Sequence, residues 1–266
     1  MTEDVFKLTR RDGPILIAMP HVGTELPASI ADRYGPVGKS VIDTDWHVDL
    51  LYQDMAERLG CSTLRPRYSR YVIDLNRGSD DAPLYPGQVS TGLLPHKTFD
   101  GEPLYHAGKE PGPDETPVRV RAYWAPYHNA LKEELARLRA KWGYAILWDA
   151  HSIRSHVPRL FEGKLPDLNL GTNDGKACDP VLAKALLAEA AKSTAYTSVL
   201  DGRFKGGFTT RNYGKPADKV HAVQLELCQS CYLQSEEAPF DYDKKKGAEL
   251  GACIESLLTV AKNWRF

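Results

Sequence analysis

The chain has 266 residues, 42% of them hydrophobic and 26% charged, and a formal net charge of −1. This is an ordinary globular balance, with ample apolar material for a sizeable core. Near-neutral charge excludes a general attraction to nucleic acid or to an anionic membrane, so an acidic ligand needs a local cluster of cations.

Taken in chain order, short apolar runs alternate with longer amphipathic ones, which predicts an α/β layout. The first strand is predicted over 15–19, in "ILIAMPHVG", where a buried run stops at Pro20 and presents His21. "DWHVDLLYQDMAERLG" spaces Trp46, Leu50, Leu51, Met55 and Leu59 as one face of a helix, with Asp45 as a cap and Gly60 as a stop. Strands are predicted over 62–67 and 71–75. A long segment rich in Pro, Gly and Asp then runs over 78–116 and reads as a lid or binding loop. "VRAYWAPYHNALKEELARLRAKWG" predicts a long helix, with Pro126 marking a kink or the true first turn. A strand over 145–149 leads into "WDAHS", and an irregular stretch is expected over 161–180. Asp179 caps a helix that begins at Pro180, a strand is predicted over 222–227, and a last helix runs over about 243–262. No linker divides the chain, so one domain over 1–266 is expected.

Sites in open α/β sheets gather beyond the carboxyl ends of strands. His21 and His151 both fall at such ends, and two histidines with a carboxylate are the donor set of a catalytic zinc site. Asp45 taken by itself is equally a helix cap. Glu226, in "AVQLELC", is more pointed: Leu225 and Leu227 direct it to one strand face, and burying it uncompensated costs several kcal/mol. In "SRYVIDLNR", Arg70 and Asn76 would share one face of a strand and Arg77 the other. An Asn-Arg pair can grip a carboxylate, and a surface ion pair is the plainer alternative. Cys228 and Cys231 form a C-x-x-C pair among five cysteines, but no second pair completes a zinc site. With no secretory signal and no apolar run of membrane-spanning length, a soluble cytoplasmic protein is expected.

The chain resembles the N-formylglutamate amidohydrolase (N-formylglutamate deformylase) family. The resemblance rests on "MPHVGTELP", "DTDWHVDLLY", "SRYVIDLNR", "DDAPLYPGQVSTGL", "WDAHSI", "LFEGKLPDLNLGT", "FKGGFTTRNYG" and "HAVQLELCQSCYL". It implies an open mixed β-sheet flanked by helices, similar to zinc carboxypeptidases and aspartoacylases. It implies a divalent metal, Zn²⁺ first, held by His21, His151 and a carboxylate. Asp45 is the expected third ligand, with His47, Asp49 and Glu25 as alternatives. Glu226 would be the general base and acid, and Arg70 would polarise the scissile carbonyl. Asn76 and Arg77 would hold a substrate carboxylate, and Arg211 on a mobile loop hinged at Gly206 and Gly207 would hold a second, with Tyr213 closing over it. The implied reaction yields formate and L-glutamate from N-formyl-L-glutamate, a step of histidine breakdown. The expected partner is thus a small acidic molecule, with no nucleic acid, no membrane and no particular oligomeric state. Two rivals share much of this pattern: another N-acyl amino acid amidohydrolase or carboxypeptidase, and a non-catalytic metal-dependent binder of acidic amino acids, which would not need Glu226.

Overall fold

The computed structural model describes residues 5–82 and 91–265. Its centre is a seven-stranded mixed sheet with strand order β1-β3-β2-β4-β7-β5-β6. The strands are β1 (Phe6–Thr9), β2 (Ile15–Ala18), β3 (Ser62–Pro66), β4 (Ala145–Ile153), β5 (Leu168–Gly171), β6 (Ser198–Leu200) and β7 (Val220–Cys228). The helices are α1 (Ala28–Ala31), α2 (Pro36–Ser40), α3 (Val48–Leu59), α4 (Glu115–Arg119), α5 (Ala125–Trp142), α6 (Pro180–Ala190), α7 (Phe208–Tyr213) and α8 (Lys244–Asn263). β3, β2, β4 and β7 run parallel, while β1 and β5 enter antiparallel.

Alternation along the central strands builds two cores. Ile15 and Ile17 face α3, α6 and α8, together with Ile146, Trp148, Val223, Leu225 and Leu227. Leu16 and Ala18 face α5, together with Ala145, Leu147 and Ala222. Each strand is therefore apolar on both sides, as expected where helices cover both faces of a sheet.

Several local expectations match the structure. Asp179 caps α6 by accepting from Val181 N at 2.7 Å, and Gly60 ends α3 at a φ of 69°, where glycine carries no Cβ penalty. Pro126 falls in the first turn of α5, just after a π-helical turn over Val120–Trp124. Proline has no N–H and its ring crowds the preceding turn, which accounts for the break between the two segments.

Others do not. Residues 71–75 are buried but form turns rather than a strand. Asp74 Oδ1 accepts from Asn76 N at 2.8 Å, and the Asp74 carbonyl accepts from Arg77 N at 3.2 Å. This aspartate-centred turn supplies locally the hydrogen bonds a sheet partner would give. The stretch 161–180 contains β5, and β1 and β6 were not anticipated. Asp45 does not cap α3. The flanking residue there is His47, in left-handed conformation at φ 57° and with no capping side chain. Residues 83–90, inside the expected lid, lie outside the described part of the structure.

Candidate active site

The parallel strands β2, β4 and β7 lie side by side, so their carboxyl ends open at one edge of the sheet. His21 follows β2, His151 lies near the end of β4, and Glu226 lies near the end of β7. His151 and Glu226 are register partners across the β4–β7 pair. The alternation that buries Leu225 and Leu227 on the α8 side turns Gln224 and Glu226 to the other face, the one that carries Ala222.

Asp45 reaches this edge through the backbone. Its N–H donates to the His21 carbonyl at 3.1 Å, which ties the loop before α3 to the loop after β2. Asp45 Oδ2 then lies 3.0 Å from His151 Nδ1 and 3.7 Å from His21 Nδ1. His21, Asp45 and His151 are all buried, and their ligating atoms lie within 4.8 Å of one another. The outward nitrogens are held as well: His21 Nε2 is 2.7 Å from Asp74 Oδ1, and His151 Nε2 is 3.1 Å from Asp149 Oδ1.

These contacts test the fit of a metal. At His21 the Asp74 carboxylate on Nε2 holds the proton there and leaves Nδ1 as the lone-pair nitrogen, the arrangement that orients metal-bound histidines. His21 Nδ1 is buried with no hydrogen-bond partner among the described residues, a costly condition that a ligated cation would relieve. Two imidazole nitrogens and one carboxylate oxygen suit Zn²⁺ with an open position. The triad fits the ion. The alternative third ligands are engaged elsewhere: His47 Nε2 with the Phe240 carbonyl at 3.0 Å, Asp49 with Arg65, and Glu25 with Arg67 at 2.7 Å.

A cavity of about 110 Å³ opens on His21 and His151, with Glu226, Arg70, Asn76 and Arg77 in its wall. Burial pushes the Glu226 carboxyl up to about 8, with Asp45 and Asp149 adding to the rise against His151 and Arg70. A carboxyl poised near neutrality can both take and return a proton. Gln224 Nε2 donates to Glu226 Oε2 at 3.2 Å. Burial would lower the Arg70 guanidinium, but the carboxylates of Asp74, Asp45 and Asp43 outweigh it and keep its charge. Arg70 donates to Asp74 Oδ2 at 2.6 Å and lies 4.8 Å from the centre of the Phe99 ring. Because 71–75 turns instead of extending, Arg70, Asn76 and Arg77 all face one cavity, where a strand would have split them. Asn76 Nδ2 lies 3.1 Å from His151 Nε2, and its Oδ1 accepts from Thr209 N at 2.9 Å.

Arg211 and Tyr213 sit differently from expectation. Both lie on α7 rather than on a loop, and neither is among the described residues lining the cavity. Arg211 Nε donates to the Gly206 carbonyl at 2.8 Å. Tyr213 pairs with His128 Nδ1 at 2.9 Å, while His128 Nε2 donates to the Leu75 carbonyl at 2.9 Å. The tyrosine thereby fastens α7 to α5.

Sequence reasoning missed Asp74 and Gln224 as parts of the site. Gln224 carried a signal, since it shares the strand face of Glu226 two residues on. Asp74 carried a weaker one, as a carboxylate inside the apolar run "VIDL".

An open α/β sheet with a buried His-Asp-His triad, a buried glutamate and arginines at one edge defines the class of a hydrolase. The comparisons with known proteins narrow the class. The family profile described as N-formylglutamate amidohydrolase matches residues 13–233. N-formylglutamate deformylase of Pseudomonas aeruginosa is 51% identical over 262 residues, covering 98% of this chain and 97% of that protein. The deformylase of Pseudomonas putida is 50% identical over 251 residues, covering 94% and 93%. The crystal structure of N-formylglutamate amidohydrolase from Ralstonia eutropha JMP134 superposes with a TM-score of 0.82 at 25% identity, over 96% of this chain and 97% of that one. The chain belongs to the N-formylglutamate amidohydrolase family. No helix among the described residues is long and apolar enough to cross a membrane.

Proposed function

We infer that the protein hydrolyses N-formyl-L-glutamate to formate and L-glutamate, using a divalent metal held by His21, Asp45 and His151. The observation that carries this reading is the register pairing of His151 with Glu226, which sets the proton-carrying carboxyl beside the triad. A Zn²⁺ ion bound by those three side chains supplies Lewis acidity to the formyl carbonyl and to water.

The chain's own residues do the rest. Glu226 takes the proton of the attacking water and delivers it to the departing amine nitrogen. Arg70, locked by Asp74, presents fixed positive charge to the oxygen on which negative charge develops. Arg77, beside Asn76, pairs with the α-carboxylate through the fork of its guanidinium. A buried glutamate at this position favours an enzyme over a passive binder, which would gain nothing from an expensive carboxyl. The same reading assigns the protein to histidine breakdown.

The test is formate release from N-formyl-L-glutamate beside N-acetyl-L-glutamate and a dipeptide ending in glutamate. Preferential turnover of the formyl compound supports the reading. Faster cleavage of either rival substrate replaces it with the corresponding amidohydrolase or carboxypeptidase.

A further inference from the structure

Glu226 moves a proton twice in the proposed reaction, so the direction its carboxyl faces matters, and its own strand supplies a second side chain to steer it. Gln224 and Glu226 stand two residues apart on β7 and share one face of the sheet, both in the cavity wall. β7 is held on both sides, by β4 and by β5, and Asn169 Nδ2 donates to the Glu226 carbonyl at 3.2 Å. The backbone under Glu226 is therefore fixed, and what is left to settle is the rotation of its side chain.

The Gln224 amide can sit only one way round. Gly207 N lies 2.8 Å from it, and a backbone N–H can only donate, so the atom facing Gly207 is Oε1. Gly207 is itself well supported, because the next two residues are tied to Asn76: Phe208 N donates to its carbonyl at 3.4 Å and Thr209 N to its Oδ1 at 2.9 Å. The amide nitrogen of Gln224 then points the other way, to Glu226 Oε2 at 3.2 Å. An amide NH₂ only donates, so Oε2 must accept. Glu226 Oε1, by contrast, has no hydrogen-bond partner among the described residues and is not sealed away from solvent. It is the oxygen that opens into the cavity.

We propose that Gln224 is a positioning residue for the reaction: pinned by Gly207, it holds Glu226 by Oε2 and leaves Oε1 as the oxygen that meets water and the amine nitrogen. The inference rests on the deformylase reading above. Oε1 takes a proton from water as the new C–O bond forms and gives it to the nitrogen as the C–N bond breaks, so Glu226 ends as it began.

The experiment measures kcat and KM for formate release from N-formyl-L-glutamate by the metal-loaded wild type, Gln224→Met, Glu226→Gln and the double variant. A carboxyl left to rotate loses its aim, so Gln224→Met is expected to lose roughly 10- to 100-fold in kcat with KM little changed. In the Glu226→Gln background the same substitution should cost nothing further, because Gln224 acts through the carboxyl already removed. A residue that merely fastens α7 to β7 would cost the same in both backgrounds. Gln224→Glu keeps an acceptor for Gly207 N and loses the donor, so it takes the place of Gln224→Met if that variant does not fold, with the same pattern expected. Equal losses in both backgrounds, a loss confined to KM, or a wild-type kcat overturns the assignment while leaving the deformylase reading intact. A wild type that releases no formate removes both.

Discussion

His21 Nε2 and Asp74 Oδ1 lie 2.7 Å apart, and the second oxygen of the same carboxylate receives Arg70 Nη2 at 2.6 Å. One buried aspartate thus orients a candidate metal ligand and a candidate oxyanion group together. Burial alone would raise the Asp74 carboxyl, but Arg70 and His21 hold it well below the usual carboxylate range. Asp74→Asn keeps the shape and removes the charge. Metal affinity, read by competition with a chromophoric chelator, should weaken roughly 10- to 100-fold, the usual cost of losing a carboxylate behind a ligating histidine. An unchanged affinity would detach Asp74 from the metal site.

Glu226→Gln tests chemistry apart from folding. The substitution removes an ionisable group that burial penalises, so the melting temperature should hold or rise. Metal content should stay as in the wild type. Formate release should fall by about 10²- to 10⁴-fold, the range for losing a general acid–base group. A variant that keeps most of its rate would show that the proton moves elsewhere.

Gly207 sits where a Cβ would come within 2.2 Å of Asn76 Nδ2. Its φ of −82° is open to any residue, so the constraint is contact rather than backbone strain. Gly207→Ala must push Asn76 from its place against His151. We expect a loss of about 1–3 kcal/mol in stability from overpacking, together with a raised KM for the substrate. Wild-type KM and melting temperature would mean that Asn76 moves aside without consequence.

His128 sets an acid limit on stability. Burial lowers its pKa to about 4, with the Leu75 carbonyl and Asp149 opposing the shift. In the unfolded chain an ordinary histidine binds its proton near 6.5. Between those values the unfolded state holds more protons than the folded one, so stability rises with pH across that window and is lost as pH falls through it. The contribution is about 1.4 kcal/mol per pH unit. Urea unfolding at pH 7, 6, 5 and 4.5 should show a smaller slope below pH 6.5 in His128→Gln than in the wild type. Identical slopes would place the acid sensitivity elsewhere.

How far the sequence discloses this site differs from residue to residue. Strand ends followed by histidine, and a glutamate between leucines, are local signals that physics reads directly: His21, His151 and Glu226 stood out without a fold. Asp45 did not, because a carboxylate before a helix has the same local appearance whether it caps the helix or, as here, turns to His151. Residues 71–75 have the composition of a strand and fold as turns, since the Asp74 side chain competes for the backbone N–H two residues on. That one difference moved Arg77 into the same cavity as Arg70.

In the proposed reaction a metal at His21, Asp45 and His151 and the carboxyl of Glu226 act together on N-formyl-L-glutamate. The most direct measurement follows formate release by one preparation in three states: as purified, stripped by a chelator, and reloaded with Zn²⁺, with bound metal quantified in each. One metal per chain is expected, with activity lost on stripping and restored on reloading, and restoration absent in His151→Ala. Full activity in the stripped protein, or an undiminished rate in His151→Ala, would contradict it.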